Sequence, residues 1–580
     1  MATQETPMQS VPKQLRGPIG LGALSLLVLV ACGGDGDDGP APIPTLAAAT
    51  GATLSGTCAE LAAKLATLPN TTITATTQVA AGTLTVGGQP VAAHCRVTGS
   101  MYTRVGPIDG ANYSIDFEMR LPLAWNGRFF HQGNGGIDGA VATATGAVNG
   151  GGALTNALNK GFAVLSSDAG HRGAQGPNFG IDPQARLDFG YQAVGKLTPM
   201  AKSLIQAAYG KGPDRSYFGG CSNGGRHTFV AAARYADQYD GFLAGAPGFR
   251  LPLAAIANIF GAQHYALVAT NPADLSTAFT PAERATVGDA VLARCDALDG
   301  TADGLVQDVE ACRTAFSLAS HVPTCTGARD GTCLSTAQKV AIAPIFSGAT
   351  NSRGQPIYAP FPYDNGIRSG GIPFWEFTAP VALDSGGVGI IWKVPPDNPA
   401  TFNGPAYALG LDIDSAVAQV NATNATYTES AMSFMTPPDP TNLATLKGRG
   451  AKMMVYHGVS DPIFSVDDTK AWYDGLRAAN GGDASNFARF YRVPGMGHCS
   501  GGPATDQFDM LEPLVQWVEQ GVVPEAVVAS ARGAGNAGGV NPEVPAGWAA
   551  NRTRPLCPYP KVARYGGSGS LELAASFSCQ

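Results

Sequence analysis

The stretch Gly220-Cys221-Ser222-Asn223-Gly224 decides how the chain is read. It fits Gly-x-Ser-x-Gly, a sharp turn in which a strand hands over to a helix and leaves a serine hydroxyl exposed at the corner. Before it, Ser216-Tyr217-Phe218-Gly219 has the composition of a short buried strand, and after it the Ala-rich run from Arg226 to Tyr235 predicts a helix. The context that the motif needs is therefore present on both sides. The serine of such a turn sits at strained backbone angles, and Gly224 and Gly225 let the helix pass close to the strand. The same five residues on a surface loop would be an ordinary Gly-rich turn; the flanking pattern separates the two readings.

A serine hydroxyl is a weak nucleophile at its own pKa and needs a base, which in turn needs an orienting acid. With this type of turn the partners follow in the order Ser, Asp/Glu, His. Beyond the helix after Ser222 the histidines are His264, His321, His457 and His498. The run Ala488-Arg489-Phe490-Tyr491-Arg492-Val493 reads as a strand and leads into Pro494-Gly495-Met496-Gly497-His498-Cys499, a loop at a strand end, where a base belongs. His457 closes a different apolar strand, Met453-Met454-Val455-Tyr456, and reads as structural. Ser460-Asp461-Pro462 follows it and places Asp461 on the loop after the penultimate strand, the seat expected for the acid. Asp467 and Asp468 compete, but they fall in the first turn of a helix leading to Trp472. Ser222, Asp461 and His498 are thus the candidate nucleophile, acid and base. Acyl transfer also needs backbone N–H donors for the developing oxyanion, each typically worth ~3 kcal/mol. One is Asn223; the other is expected from His131-Gln132-Gly133-Asn134-Gly135-Gly136, a loop after the strand Arg128-Phe129-Phe130.

Cys221 precedes Ser222 and Cys499 follows His498, so the two cysteines converge if the serine and histidine do, as a disulfide or as two buried thiols. This Cys-Ser, Asp, His-Cys arrangement resembles the tannase and feruloyl esterase family. The resemblance runs from about Cys58 to Cys579. It includes Phe179-Gly180-Ile181-Asp182-Pro183-Gln184-Ala185-Arg186, Gly245-Ala246-Pro247-Gly248, Cys295-Asp296-Ala297-Leu298-Asp299-Gly300 and Arg552-Thr553-Arg554-Pro555-Leu556-Cys557-Pro558. It implies an α/β protein with the α/β-hydrolase fold and a large inserted lid domain. It implies a serine carboxylic-ester hydrolase that acts on small aromatic esters (hydroxycinnamoyl, benzoyl or terephthaloyl) through an acyl-enzyme, with no catalytic cofactor. Other serine acyl-transfer chemistry, or hydrolysis of terephthalate monoesters proper, is the alternative, since fold and triad serve many substrates. The resemblance further implies Gly136 and Asn223 as oxyanion donors and Gly135 and Phe464 as substrate contacts; Trp375 is a candidate contact as an aromatic of the lid. It implies the pairings Cys58–Cys95, Cys221–Cys499, Cys295–Cys312, Cys325–Cys333 and Cys557–Cys579.

The expected organisation is a signal peptide over residues 1–31, a flexible tether over 32–50, a first core part over 51–246, a lid over 247–446 and a second core part over 447–580. Lys13 and Arg16 precede a short apolar run, Leu21 to Val30, which ends in Leu29-Val30-Ala31-Cys32 and resembles a lipobox. Cleavage before Cys32 predicts a lipid-anchored bacterial lipoprotein of the outer membrane or periplasm; ordinary secretion is the alternative. Ten of the eleven cysteines then remain, an even number that suits disulfides in an exported chain. Net charge is −7 with only 14% charged residues, which argues against nucleic acid or an anionic membrane surface as a partner. Hydrophobic residues at 44% set 75 glycines and 42 prolines in a loop-rich, folded protein and not a disordered one. A monomer is expected.

In the lid, Asp296, Asp299 and Asp303 fall within ten residues ending at Leu305. On spacing alone this is a solvated Asx-rich turn. The resemblance implies a structural calcium held by Asp296, Asp299, Asp303 and the carbonyls of Thr301 and Leu305. The lid offers Phe374, Trp375, Phe377 and Trp392 as aromatics. The family's terephthalate-ester member grips its substrate carboxylate with a lid arginine. Here no arginine occurs between Arg368 and Arg449, and Lys393 is the lid's cation in that stretch. A lysine cannot form the bidentate pair. Asn223 stands where that member has a glutamate, and Gly135 where it has a serine. The expectation is a preference for neutral aromatic esters over those with a free carboxylate.

Overall fold

A nine-stranded sheet carries the site. Its strands are β1 (Thr71–Val79), β2 (His94–Val105), β3 (Asn112–Pro122), β4 (Arg128–Gly133), β5 (Ala163–Ser167), β6 (Arg215–Cys221), β7 (Gly241–Gly245), β8 (Lys452–Gly458) and β9 (Ala488–Val493), in the spatial order β9-β8-β7-β6-β4-β5-β3-β2-β1. The six from β9 to β5 run parallel, and β3, β2 and β1 are added antiparallel. The computed structural model describes residues 43–148, 150 and 156–580. The expected signal peptide, and Cys32 with the first part of the tether, lie outside the described residues.

The parallel strands are short apolar runs because both sheet faces are covered. Side chains alternate between the faces. Phe129, Phe218, Met453 and Val455 enter one core cluster, whereas Phe130, Tyr217, Met454 and Tyr456 enter the other. The first cluster is closed by the helices α1 (Ala193–Tyr209), α2 (Asn223–Arg234) and α5 (Val466–Ala479), through Leu197, Phe229 and Trp472. The second is closed by α6 (Leu511–Gln520), through Leu511, Leu514 and Trp517.

Helix α2 begins at Asn223, three residues earlier than the sequence suggests, and β4 runs on to Gly133 instead of stopping at Phe130. The cause is close packing at glycine. A Cβ at Gly224 would lie 2.3 Å from the Gly133 carbonyl oxygen, one at Gly220 2.4 Å from the same atom, and one at Gly225 2.5 Å from the Gly245 oxygen. Gly224 and Gly225 let the helix pass close to the strands, as the sequence suggests, and let it start at the elbow itself.

Between β7 and β8 lies the inserted segment, with α3 (Leu251–Ala266) and α4 (Pro281–Cys295) as its longer helices. It has a cluster of its own, including Tyr265, Phe279, Val287, Ile342, Ile367 and Phe377. Val388, Ile391 and Trp392 instead join the main core. Phe377 and Trp392 are therefore core residues. The Phe179–Arg186 motif has a structural explanation here. Arg186 is buried, and its guanidinium donates to the carbonyls of Gly180 (2.5 Å), Ile390 (2.9 Å) and Lys393 (3.2 Å), riveting the insertion to the segment between β5 and β6.

Candidate active site

Ser222 follows β6 at φ 66° and ψ −128°, a conformation that non-glycine residues rarely adopt. Its Oγ lies 2.8 Å from His498 Nε2, and His498 Nδ1 lies 2.7 Å from Asp461 Oδ2. The acid and the histidine sit on the loops after β8 and β9, so all three residues gather at the carboxyl ends of parallel strands. This is where open α/β sheets bind ligands. The remaining oxygen of Asp461 accepts from the amides of Ile463 and Phe464, both at 3.0 Å. Burial on its own would raise the Asp461 pKa. The His498 charge and the hydrogen bonds from His457 and His498 overcome it and hold the carboxyl well below the usual range. The carboxylate is thus charged and fixed, and it selects the imidazole tautomer whose Nε2 faces the serine. Asp467 and Asp468 are removed from contention, because they pair with Arg313 and Arg250.

His457 is fully buried, as a structural histidine should be, yet it touches the acid. Its Nε2 is 3.2 Å from Asp461 Oδ2, and its Nδ1 is 2.9 Å from Thr469 Oγ1. Gly135 and Gly136 are exposed beside the serine; a Cβ at Gly135 would meet Ser222 Cβ at 3.8 Å. Asn223 is the first residue of α2, where the backbone amide has no partner within the helix. Trp375 is half-buried with its ring 4.8 Å from the His498 ring. Phe464 packs on the same imidazole, at 5.3 Å, and is only 2% exposed. Trp375 can therefore face a ligand, while Phe464 backs the imidazole.

Ten cysteines form the five pairs expected: Cys58–Cys95, Cys221–Cys499, Cys295–Cys312, Cys325–Cys333 and Cys557–Cys579. The Cys221–Cys499 bond spans 278 residues and joins the neighbours of the serine and the histidine.

The family description "Tannase and feruloyl esterase" matches residues 95–580. The chain belongs to the tannase and feruloyl esterase family. Among its relatives is the mono(2-hydroxyethyl) terephthalate hydrolase of Piscinibacter sakaiensis, 39% identical over 84% of each chain. Another is an uncharacterized esterase of Xanthomonas campestris, 31% identical over 91% of this chain and 92% of its own. Feruloyl esterase B of Aspergillus oryzae is similar in structure, with a TM-score of 0.70 and 25% identity over 90% of this chain and 100% of that one. This protein is a carboxylic ester hydrolase with the α/β-hydrolase fold. Its disulfides indicate an exported protein. Among the described residues no helix is long and apolar enough to cross a membrane.

Two residues that hold this esterase's site together carry no sequence signal. Asp364, from the insertion, accepts from Ser460 Oγ at 2.7 Å and from the Gly495 amide at 2.8 Å, bridging the acid loop and the histidine loop. Glu543, near the C-terminus, accepts from the Gly502 amide at 2.7 Å and the Gly370 amide at 2.5 Å, tying the histidine loop to the segment before Trp375. Their partners lie far away along the chain, so no local pattern marks them.

The acidic loop is packed against Arg552-Thr553-Arg554. Arg554 pairs with Asp303, and Arg552 donates to the Asp303 carbonyl at 2.6 Å. Asp303 thus has both carboxylate oxygens engaged, one by Arg554 and one by the Leu305 amide. Asp296 accepts from the amides of Asp303 and Gly304. Asp299 differs: its Oδ2 is buried with no hydrogen-bond partner. Burial pushes this carboxyl up to about 7, and the charges of Asp303 and Asp296 push in the same direction. An orphaned, like-charge-repelled oxygen suits a cation. Against that, among the described residues no three His, Cys, Asp or Glu side chains are gathered as a metal cluster.

The disulfide prediction follows from the geometry at Ser222. Replacing Cys221 and Cys499 by alanine should remove ~2–5 kcal/mol of stability and lower activity in the residual folded protein. Denaturant unfolding and ester turnover on the double variant would check this. Unchanged stability and turnover would show that the bond does not hold the site.

Proposed function

We propose that this esterase works through Ser222, Asp461 and His498 by an acyl-enzyme, on small aromatic esters. The observation that carries the reading is the continuous chain Ser222 Oγ, His498 Nε2, His498 Nδ1, Asp461 Oδ2, with links of 2.8 and 2.7 Å. Ser222 Oγ attacks the ester carbonyl as His498 takes its proton, and Asp461 stabilises the imidazolium. The amides of Gly136 and Asn223 receive the oxyanion. As the tetrahedral species collapses, His498 returns the proton to the leaving alkoxide. Water then repeats the sequence on the acyl-enzyme and frees the acid.

The insertion over residues 247–446 acts as the lid in this reading, with Trp375 as the wall for the substrate ring and Phe464 behind the imidazole. The names of the relatives support aromatic acyl groups. The cations support a neutral substrate. Lys393 is paired with Asp397 at 2.6 Å, and Arg368 is paired with Asp289. Lys393 cannot form a bidentate grip, and Arg368 is not free to give one to a substrate carboxylate unless its present pair breaks. A charge-assisted pair is worth ~1.5–3 kcal/mol, so its loss should shift discrimination away from the monoester by ~10–100-fold in kcat/KM relative to a site that has the arginine, and a terephthalate diester should be turned over faster than its monoester. Steady-state kinetics on both esters, with hydroxycinnamate esters and the matching amides alongside, test the substrate class. A faster monoester would contradict the neutral-ester preference, and amides cut as fast as esters would contradict the reaction class.

In the same reading a structural calcium sits in the acidic loop, held by Asp296, Asp299, Asp303 and the carbonyls of Thr301 and Leu305. It would neutralise the carboxylates and brace the loop against Arg552 and Arg554, and it takes no part in any catalytic step. The buried, unpartnered Asp299 Oδ2 supports it. Chelation should lower Tm and added calcium should restore it; active protein containing no calcium by elemental analysis would contradict the site.

A further inference from the structure

Asn223 enters the proposed reaction through its backbone amide, but its side chain is buried and bound on both sides. Its Nδ2 donates to Asp138 Oδ2 at 2.7 Å, and its Oδ1 accepts from Arg226 Nε at 2.6 Å. Arg226 is itself fixed, donating to the carbonyls of Gly190 at 2.7 Å and Phe189 at 2.9 Å. Asp138 lies two residues beyond Gly136. It has a φ of 56°, and its amide donates back to the Gly135 carbonyl at 3.2 Å. His227 Nε2 adds a second contact to Asp138 Oδ2 at 2.8 Å. The side chains of Asp138 and His227 are 2% and 4% exposed.

The order of charge matters. A guanidinium faces the amide oxygen, and a carboxylate faces the amide N–H. Of the side chains of this size, an amide alone offers an acceptor to one partner and a donor to the other. Burial pushes the Asp138 carboxyl up to about 7, even with the charges of Arg226 and His171 and the Asn223 hydrogen bond acting in the opposite direction.

The proposed oxyanion donors come from different parts of the chain. The Gly136 amide is on a glycine loop whose Asn134 side chain is tied to Ser166 Oγ and the Ser167 carbonyl, and the Asn223 amide is on the elbow. Such donors act only if they are held in place before the charge develops, and a shift of about 1 Å can cost ~100-fold in rate. We propose that Asp138, backed by Arg226, is the positioning residue of the oxyanion hole: it grips the Asn223 side chain and so sets the elbow's donor against the loop that carries Gly136. The inference rests on the proposed serine mechanism and concerns which residues align its donors.

The test uses the purified full chain and a neutral aryl ester, with Asn223→Asp, Asp138→Asn, the double variant and Asp138→Gly. Asn223→Asp sets two carboxylates face to face. It should lower kcat by about 10–100-fold, change KM less than about 3-fold, and weaken an arylboronic acid, a mimic of the tetrahedral adduct, in parallel with kcat. The double variant exchanges donor and acceptor. The amide it places on the glycine loop can donate to the carboxylate it places on the elbow, and that carboxylate still accepts from Arg226. Its kcat should therefore recover to within about 5-fold of the parent. Asp138→Gly accepts the positive φ and removes the grip on Asn223 together with the His227 contact. It should show the same split between kcat and KM, and it serves if Asn223→Asp does not fold. A double variant no better than Asn223→Asp, or losses confined to Tm or KM with kcat and boronate affinity intact, would overturn the proposal. Failure of the parent enzyme to turn over aryl esters, or turnover that survives Ser222→Ala, would instead count against the mechanism on which the proposal rests.

Discussion

The backbone of Ser222 is held at φ 66° and ψ −128°, and much of the surrounding structure exists to keep it there. A residue in such a region costs roughly 1–3 kcal/mol, which its surroundings must offset. The Ser222 amide is bound to the Gly245 carbonyl at 3.0 Å, so β7 fixes the turn from one side. Gly133, Gly220, Gly224 and Gly225 let α2 and the strands close on it from the other. Cys221 adds a covalent tie to Cys499, which is itself at a φ of 61°. The tie thus runs between the immediate neighbours of the serine and the histidine. The approach of the hydroxyl to the imidazole is a consequence of that joint.

The insertion braces the site. Through Asp364 it holds the acid and histidine loops together. The next residue, Asn365, donates to the Gly304 carbonyl in the acidic loop at 3.0 Å. The acidic loop is packed in turn on Arg552 and Arg554 from the C-terminal part of the chain. Arg186, between β5 and β6, ties down the Ile390–Lys393 part of the insertion. Motifs that lie far from Ser222 in sequence are therefore the joints between insertion and core. Asp303 and Arg554 are thereby connected to the acid loop through Gly304, Asn365 and Asp364.

Ser222, Asp461 and His498 are legible in the sequence because each sits at the end of an apolar run, in a fixed chain order, and because two carry a neighbouring cysteine. The exact start of α2 is not: the close approach at Gly224 and Gly225 is expected from the sequence, but that the helix reaches back to Asn223 shows only in their distances to Gly133 and Gly245. The aromatic residues of the insertion are legible as a set but not individually. Trp375 reaches His498, whereas Phe377 and Trp392 are taken up by two different cores. Asp364, Glu543 and the Asp138 grip on Asn223 are not legible at all. Asn223 lies 85 residues from Asp138, and Gly370 lies 173 from Glu543. A single buried acid looks the same in sequence whether it braces a loop or faces water.

The central claim is that the Ser222 hydroxyl becomes acylated. The direct measurement is peptide mapping by mass spectrometry after acid quench of the enzyme with an activated aromatic ester. The account predicts the acyl mass on the peptide containing Ser222, formed within the first turnover and lost as the acid is released, and absent from a His498→Ala variant. Turnover of the ester with no adduct on that peptide, or with the acyl group on another residue, would contradict it.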